Sequence, residues 1–159
     1  VHPVRRRVAI HERPALPAIM DAVRSLLGLV PGLEIVEVPV PRLGVMSIHV
    51  AGLPAEKRAL LEQEFATAKA LGADTLATVF HACHRDICTL GDASFEVLNF
   101  LELIGESMGL RHDDHYRHMK ELDDLDAIIA EAAPLIAAHG LDEQMARDVL
   151  RAEFPGARR

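Results

Sequence analysis

The 159-residue chain carries 24 acidic side chains against 17 Lys and Arg, a net charge of −7 with His neutral, and half of its residues are apolar. That acidic balance argues against a nucleic-acid backbone as partner, because such binding rests on Lys and Arg neutralising phosphates. The absence of Trp, with Tyr116 as the single tyrosine, leaves little for base stacking, and no apolar run approaches the ~20 residues needed to span a bilayer.

Two cysteines five residues apart, with no secretory apolar segment ahead of them, are expected to be reduced cytoplasmic thiols rather than a disulfide. The chain starts at Val1 and not at Met, as a trimmed start or a piece of a longer protein would. A chain of this length buries roughly two-thirds of its unfolded surface without disulfides or metals.

Val4 to His11 reads as a strand, with Pro14 and Pro17 closing it. Ile19, Val23, Leu26, Leu27 and Val30 then recur at helical spacing, so a helix is predicted from about Ala18 to Val30, where Pro31-Gly32 stops it. Leu33 to Val40 is β-rich, and Pro41 to Ala51 is a loop or short edge segment. Pro54 suits the first turn of a helix over Ala55 to Leu71, with Gly72 as its stop. Asp74 to Phe80 is almost continuously apolar, as a strand covered on both faces would be. A helix ending near Gly91 follows, then a strand over Phe95 to Phe100 and a helix over Leu101 to Gly109 whose Leu101, Ile104 and Met108 share a face.

The alternation predicts an α/β fold: a mainly parallel sheet of about four strands flanked by helices, over residues 1–110. Residues 111–159 are expected to form a C-terminal helical extension packed on the same domain, with helices over Met119 to Ala138 and Leu141 to Phe154 separated by Gly140. Their amphipathic stripes cover the sheet or each other, or serve in part as an assembly surface.

The densest chemistry lies in Phe80-His81-Ala82-Cys83-His84 through Cys88, where a strand runs directly into a helix at the edge where open α/β sheets hold ligands. His81, Cys83, His84 and Cys88 are candidate metal ligands, since imidazole with thiolate suits zinc, iron or copper. His112, His115 and His118, with Asp113 and Asp114, form a second candidate metal patch. The plain alternatives are core cysteines and solvated histidines. His11 and Cys83 are the candidate catalytic residues. His11 ends the first strand at the same edge, and Cys83 near a helix start suits a nucleophile activated by His81 or His84.

The order of elements, with Val8-Ala-Ile-His11, Phe80-His-Ala-Cys83-His84 and the stretch from Phe95 to Gly109, resembles the cysteine-rich CCG domain found in heterodisulfide reductase and in the iron–sulfur subunit of glycolate oxidase. The resemblance covers roughly Val4 to Leu110 and implies the fold, descent from an electron-transfer protein, and an iron–sulfur cluster or zinc where the family's cysteines are present. Here Pro14 stands in the thiolate slot of His11-Glu12-Arg13-Pro14, Gly44-Val45-Met46 occupies the Cys-Cys-Gly slot, and Phe80-His81-Ala82-Cys83 keeps only the second cysteine of Cys-x-x-Cys. A cluster needs about four thiolates, so no cofactor, or zinc, is expected ahead of an iron–sulfur cluster on this chain alone.

These observations lead to three expectations. The first is a degenerate CCG-type domain serving as a subunit or accessory module of an oxidoreductase system, partnered by a redox complex or a second copy of itself. The second is a metal-binding or thiol redox protein centred on Cys83 with His81, His84 and Cys88. The third is an enzyme that uses His11 and Cys83 without metal.

Overall fold

In the computed structural model, residues 1–13, 15–39 and 52–157 are described. The chain divides into two compact units, Val1–His112 and Asp113–Arg159. The first is the α/β domain. Strands β1 (Arg6–His11), β2 (Leu33–Val36), β3 (Thr75–Thr78) and β4 (Glu96–Asn99) alternate with helices α1 (Pro17–Leu27), α2 (Pro54–Ala70), α3 (His81–Ile87) and α4 (Phe100–Ser107). The four strands form one all-parallel sheet in the order β2-β1-β3-β4, with Val8 opposite Ile35 on one side and Thr75 on the other.

Alternation along the strands sorts side chains into two cores. Val8 and Ile10 of β1 join Val23 and Leu27 of α1 and Leu103 of α4 on one face. Ala9 of β1 and Leu76 of β3 join Leu61 and Ala68 of α2, Ile87 of α3 and Phe95 on the other. By the same period His11 belongs to the second face, the one covered by α2 and α3. The strand order reverses between β1 and β3, so their C-terminal ends flank the crevice where this class of sheet binds its ligands.

Local chemistry fixes the helices. Both α1 and α2 begin with proline in the first turn, where the missing N–H costs nothing. Pro17 therefore opens α1 and does not close the preceding strand. The Arg7 guanidinium closes α2, donating to Leu71 O at 3.1 Å and Gly72 O at 2.8 Å. Helix α4 starts with a reciprocal capping box between Asn99 and Glu102. Its core face is Leu103 with Ser107, whereas Leu101 and Met108 point outward, which corrects the face expected from spacing. Helix α3 ends in a 3₁₀ turn over Cys88–Leu90, followed by Gly91, where an added Cβ would lie 2.7 Å from Phe95 O.

The second unit holds α5 (His115–Leu122), α6 (Leu125–Ala138) and α7 (Glu143–Glu153). The helix expected from Met119 to Ala138 is two helices. Asp123 takes a left-handed conformation with φ 49° that ends α5, and the Asp124 side chain accepts from Ala127 N–H to cap α6. Leu125, Ile128, Ile129 and Ala132 are the buried face of α6. Tyr116 donates to Glu153 at 2.7 Å, and its ring packs 5.3 Å from that of Phe154. Among the described residues no helix is long and apolar enough to cross a membrane. The Cys-Cys-Gly slot at Gly44-Val45-Met46, the Pro41 to Ala51 segment, and Pro14 lie outside the described residues.

Candidate functional site

Four side chains, from β1, the segment after it, α2 and α3, meet at the C-terminal edge of β1 and β3. His11 is the last residue of β1, and Arg13 lies two residues beyond it. Glu64 occupies the core-facing stripe of α2 between Leu61 and Ala68, where an apolar side chain would be the ordinary choice. Cys83 sits in the first turn of α3. All four are buried, Cys83 to 1% exposure and the other three to 6% each.

They form one connected chain. His11 Nδ1 lies 2.8 Å from Glu64 Oε2, which leaves Nε2 as the ring nitrogen for the hydrogen bond between His11 and the Cys83 thiol. Arg13 Nη2 donates to Cys83 Sγ at 3.0 Å. The guanidinium is stacked over Phe80, 3.6 Å from the ring centroid, so its plane is held by an aromatic face as well as by the sulfur. Arg13 Nε is buried and has no hydrogen-bond partner among the described residues, and an orphaned buried donor costs about 1–3 kcal/mol.

The electrostatics follow from that geometry. Burial opposes the charged form of Cys83, but the hydrogen bonds from His11 and Arg13 and their positive charges outweigh it, bringing the thiol down from 9.0 to about 7. Burial likewise opposes the imidazolium, but hydrogen bonds with Cys83 and Glu64, together with their negative charges, raise His11 from 6.5 to about 9. Between those two values the favoured state is a thiolate paired with an imidazolium. Helix α3 has only seven residues, so the charge that stabilises the thiolate comes from His11 and Arg13.

Supporting contacts hold α3 in place. Thr78, the last residue of β3, lies 3.1 Å from both Leu98 O and His84 Nδ1, so its hydroxyl donates to the carbonyl and accepts from the imidazole. Lys57 of α2 bonds both carboxylate oxygens of Asp86 on α3, at 2.7 and 2.6 Å, tying the helix that carries Glu64 to the helix that carries Cys83.

The predicted residues separate accordingly. His11 and Cys83 meet. His84 is buried but turned to Thr78, His81 is exposed, and Cys88 is fully buried in the 3₁₀ turn and forms no disulfide with Cys83. Among the described residues, no three of His81, Cys83, His84 and Cys88 bring ligand atoms within 4.8 Å of one another. Five residues of helix place the two cysteines on different faces, and Sγ of Cys83 is already engaged by Arg13 and His11. His112 is exposed at the end of the first unit; in the second, His115 is exposed and His118 Nε2 stands 3.8 Å from Glu131. Glu64 and Arg13 were missed by sequence reasoning. The acid interrupting the Leu61/Ala68 stripe is a signal for Glu64, and no spacing marks Arg13. Comparison of the chain with protein-family models, curated proteins and solved structures finds no match.

Proposed function

We propose that the protein is a thiol-dependent enzyme or redox protein in which Cys83 acts as a thiolate nucleophile. The observation that carries this reading is the buried chain Glu64–His11–Cys83 with Arg13 Nη2 at 3.0 Å from Sγ. In this reading the sulfur attacks an electrophilic centre, and the His11 Nε2–H gives its proton to the departing group. Glu64 is a positioning residue that holds the ring through Nδ1–H and supports the imidazolium. Arg13 offsets the sulfur's charge at rest.

The test is the pH profile of alkylation by iodoacetamide, with peptide mapping to separate Cys83 from the equally buried Cys88. Cys83 is expected to react with a midpoint near pH 7, in step with thiolate ultraviolet absorbance. Absence of thiolate absorbance at pH 8, or a midpoint at or above that of free cysteine, would refute the proposal.

A second reading is the accessory module of an oxidoreductase complex that the CCG resemblance implies. The observation favouring it is the 1% exposure of Cys83, which suits a thiol kept away from solvent. Elemental analysis of protein purified without oxygen adds the deciding measurement for the remaining alternative. A metal bound one per chain and lost in Cys83→Ala would return Cys83 to a ligand role and exclude a free thiolate.

A further inference from the structure

Arg13 offers its sulfur contact from one edge of a rigid plane. The Nε–H and one Nη2–H of a guanidinium point the same way, as the paired donors that grip a carboxylate side-on. Here Nη2 is on Cys83 Sγ and the neighbouring Nε is buried without a partner among the described residues. The second donor of the pair therefore lies on the guanidinium edge adjoining the nitrogen that reaches the sulfur. An oxygen atom bound to, or arriving at, Sγ is the group that would accept from it.

The size of the reactant is bounded by burial. Cys83 is 1% exposed, and His11, Arg13 and Glu64 are covered with it, which leaves no open surface on which a bulky acyl or peptide substrate could lie against Sγ. A molecule of only two heavy atoms reaches such a sulfur with the least rearrangement. The charges also match, because attack moves the negative charge from sulfur to a departing oxygen. Arg13 and His11 both hydrogen-bond the sulfur that gives up the charge, and His11 carries a proton to give.

Resting on the thiolate reading above, we propose that the substrate of this site is a hydroperoxide, hydrogen peroxide in its simplest form, with Arg13 Nε–H receiving the peroxide oxygen beside Cys83 Sγ. The sulfur lone pair attacks one oxygen of HOOH. An S–O bond forms, the O–O bond breaks, and the second oxygen leaves as hydroxide that takes the His11 Nε2 proton to become water. Sulfur is oxidised by two electrons to the sulfenic acid, peroxide is reduced, and His11 is left neutral. A small thiol reductant returns the sulfenic acid to the thiol through a mixed disulfide and a second thiol.

The experiment mixes reduced full-length protein with hydrogen peroxide, follows the loss of thiolate absorbance in stopped flow, and locates the added oxygen by mass spectrometry. Iodoacetamide is run in parallel, with free cysteine as reference for both reagents and rates expressed per thiolate. The expected result is a peroxide rate constant about 100-fold or more above that of the free cysteine thiolate, with no comparable gain for iodoacetamide, and sulfenic acid on Cys83 but not Cys88. Arg13→Lys keeps the cation and removes the side-on edge, so it is expected to lose most of the peroxide advantage while leaving alkylation per thiolate within a few-fold.

Thiolate present but oxidised no faster than free cysteine overturns the peroxide inference and leaves the nucleophile standing. Equal losses for both reagents in Arg13→Lys also overturn it. A protonated thiol at pH 8 removes both. The comparison of two reagents on the unaltered protein decides the matter even where Arg13→Lys does not fold.

Discussion

Replacing His11 by Gln tests the ion pair most directly, because a polar amide remains at the position of Nε2 while the positive charge and the transferable proton disappear. In the native protein about half of Cys83 is thiolate at pH 7, since its thiol titrates near that value. Without the imidazolium, burial pushes the thiol up while Arg13 still pulls it down, so the ordinary value of about 8.5 is the reference, and roughly 3% is then ionised at pH 7. The loss of thiolate, about 15-fold, is partly offset, because nucleophilicity rises with basicity at a Brønsted slope of 0.4–0.5, making each remaining thiolate roughly 5-fold more reactive. The net result is an alkylation rate roughly 3-fold lower at pH 7 and roughly 5-fold higher above pH 9, with the two curves crossing near pH 8. Iodoacetamide rates from pH 5 to 10, mapped to Cys83, would reveal that crossing. Parallel curves, or an unchanged midpoint in His11→Gln protein with native circular dichroism, would refute the assignment of His11 as the partner that ionises Cys83.

Glu64→Gln is expected to lower the His11 titration from about 9 and move the Cys83 alkylation midpoint upward by less than His11→Gln does, since the imidazole and Arg13 stay in place; an NMR titration of the ring would follow the first effect. Stability should respond to pH in two opposing ways. His11 titrates higher folded than unfolded, so its contribution is complete below about 6.5 and is lost as pH rises through about 9. Cys83 titrates lower folded than unfolded, so its contribution is present above about 9 and is lost as pH falls through about 7. The trends oppose each other between pH 7 and 9. Urea midpoints should therefore be nearly level there in the native protein and fall with rising pH in Cys83→Ala, where His11 with Glu64 acts alone. Phe95 is fully buried against Phe65 at 5.4 Å between ring centroids, so Phe95→Ala should cost about 3–5 kcal/mol in urea unfolding.

The parallel sheet was legible in the sequence because its signals are local. Proline at a helix start, glycine at a helix end and a run such as Thr75-Leu-Ala-Thr78 act within a few residues of themselves. The break at Asp123-Asp124 was hidden because both sides of it are strongly helical, and an Asp pair reads equally well as a solvated face. The site was half legible. His11 and Cys83 could be placed at one sheet edge by counting strands, whereas Glu64 reaches them across 53 residues and Arg13 reaches Cys83 across 70. No periodicity records such encounters. They depend on which face of β1 each residue takes and on the packing that brings α2 over it. Histidines at helical spacing with cysteines suggested a metal, but the ring of His84 is turned to Thr78 and His81 to solvent.

The charge at the sulfur links these observations. A thiolate at this edge needs positive charge close by, whether from a metal or from the protein, because water is excluded from it. Arg13 puts a guanidinium 3.0 Å from Cys83 Sγ. A guanidinium cannot ligate a metal cation and repels one, so Arg13 and a metal are alternative partners for the same sulfur. With Arg13 and the His11 imidazolium in place, the charges of the four buried groups sum to zero when Cys83 and Glu64 are ionised, so the thiolate is compensated without a metal. Loading zinc onto Cys83 would have to displace Arg13 from the sulfur and leave its charge buried over Phe80. Arg13→Ala is therefore expected to raise zinc affinity at Cys83 while slowing its alkylation at pH 7. Zinc titration monitored by thiolate–metal charge-transfer absorbance measures the first effect, and an unchanged affinity would mean that the guanidinium does not stand in for the metal.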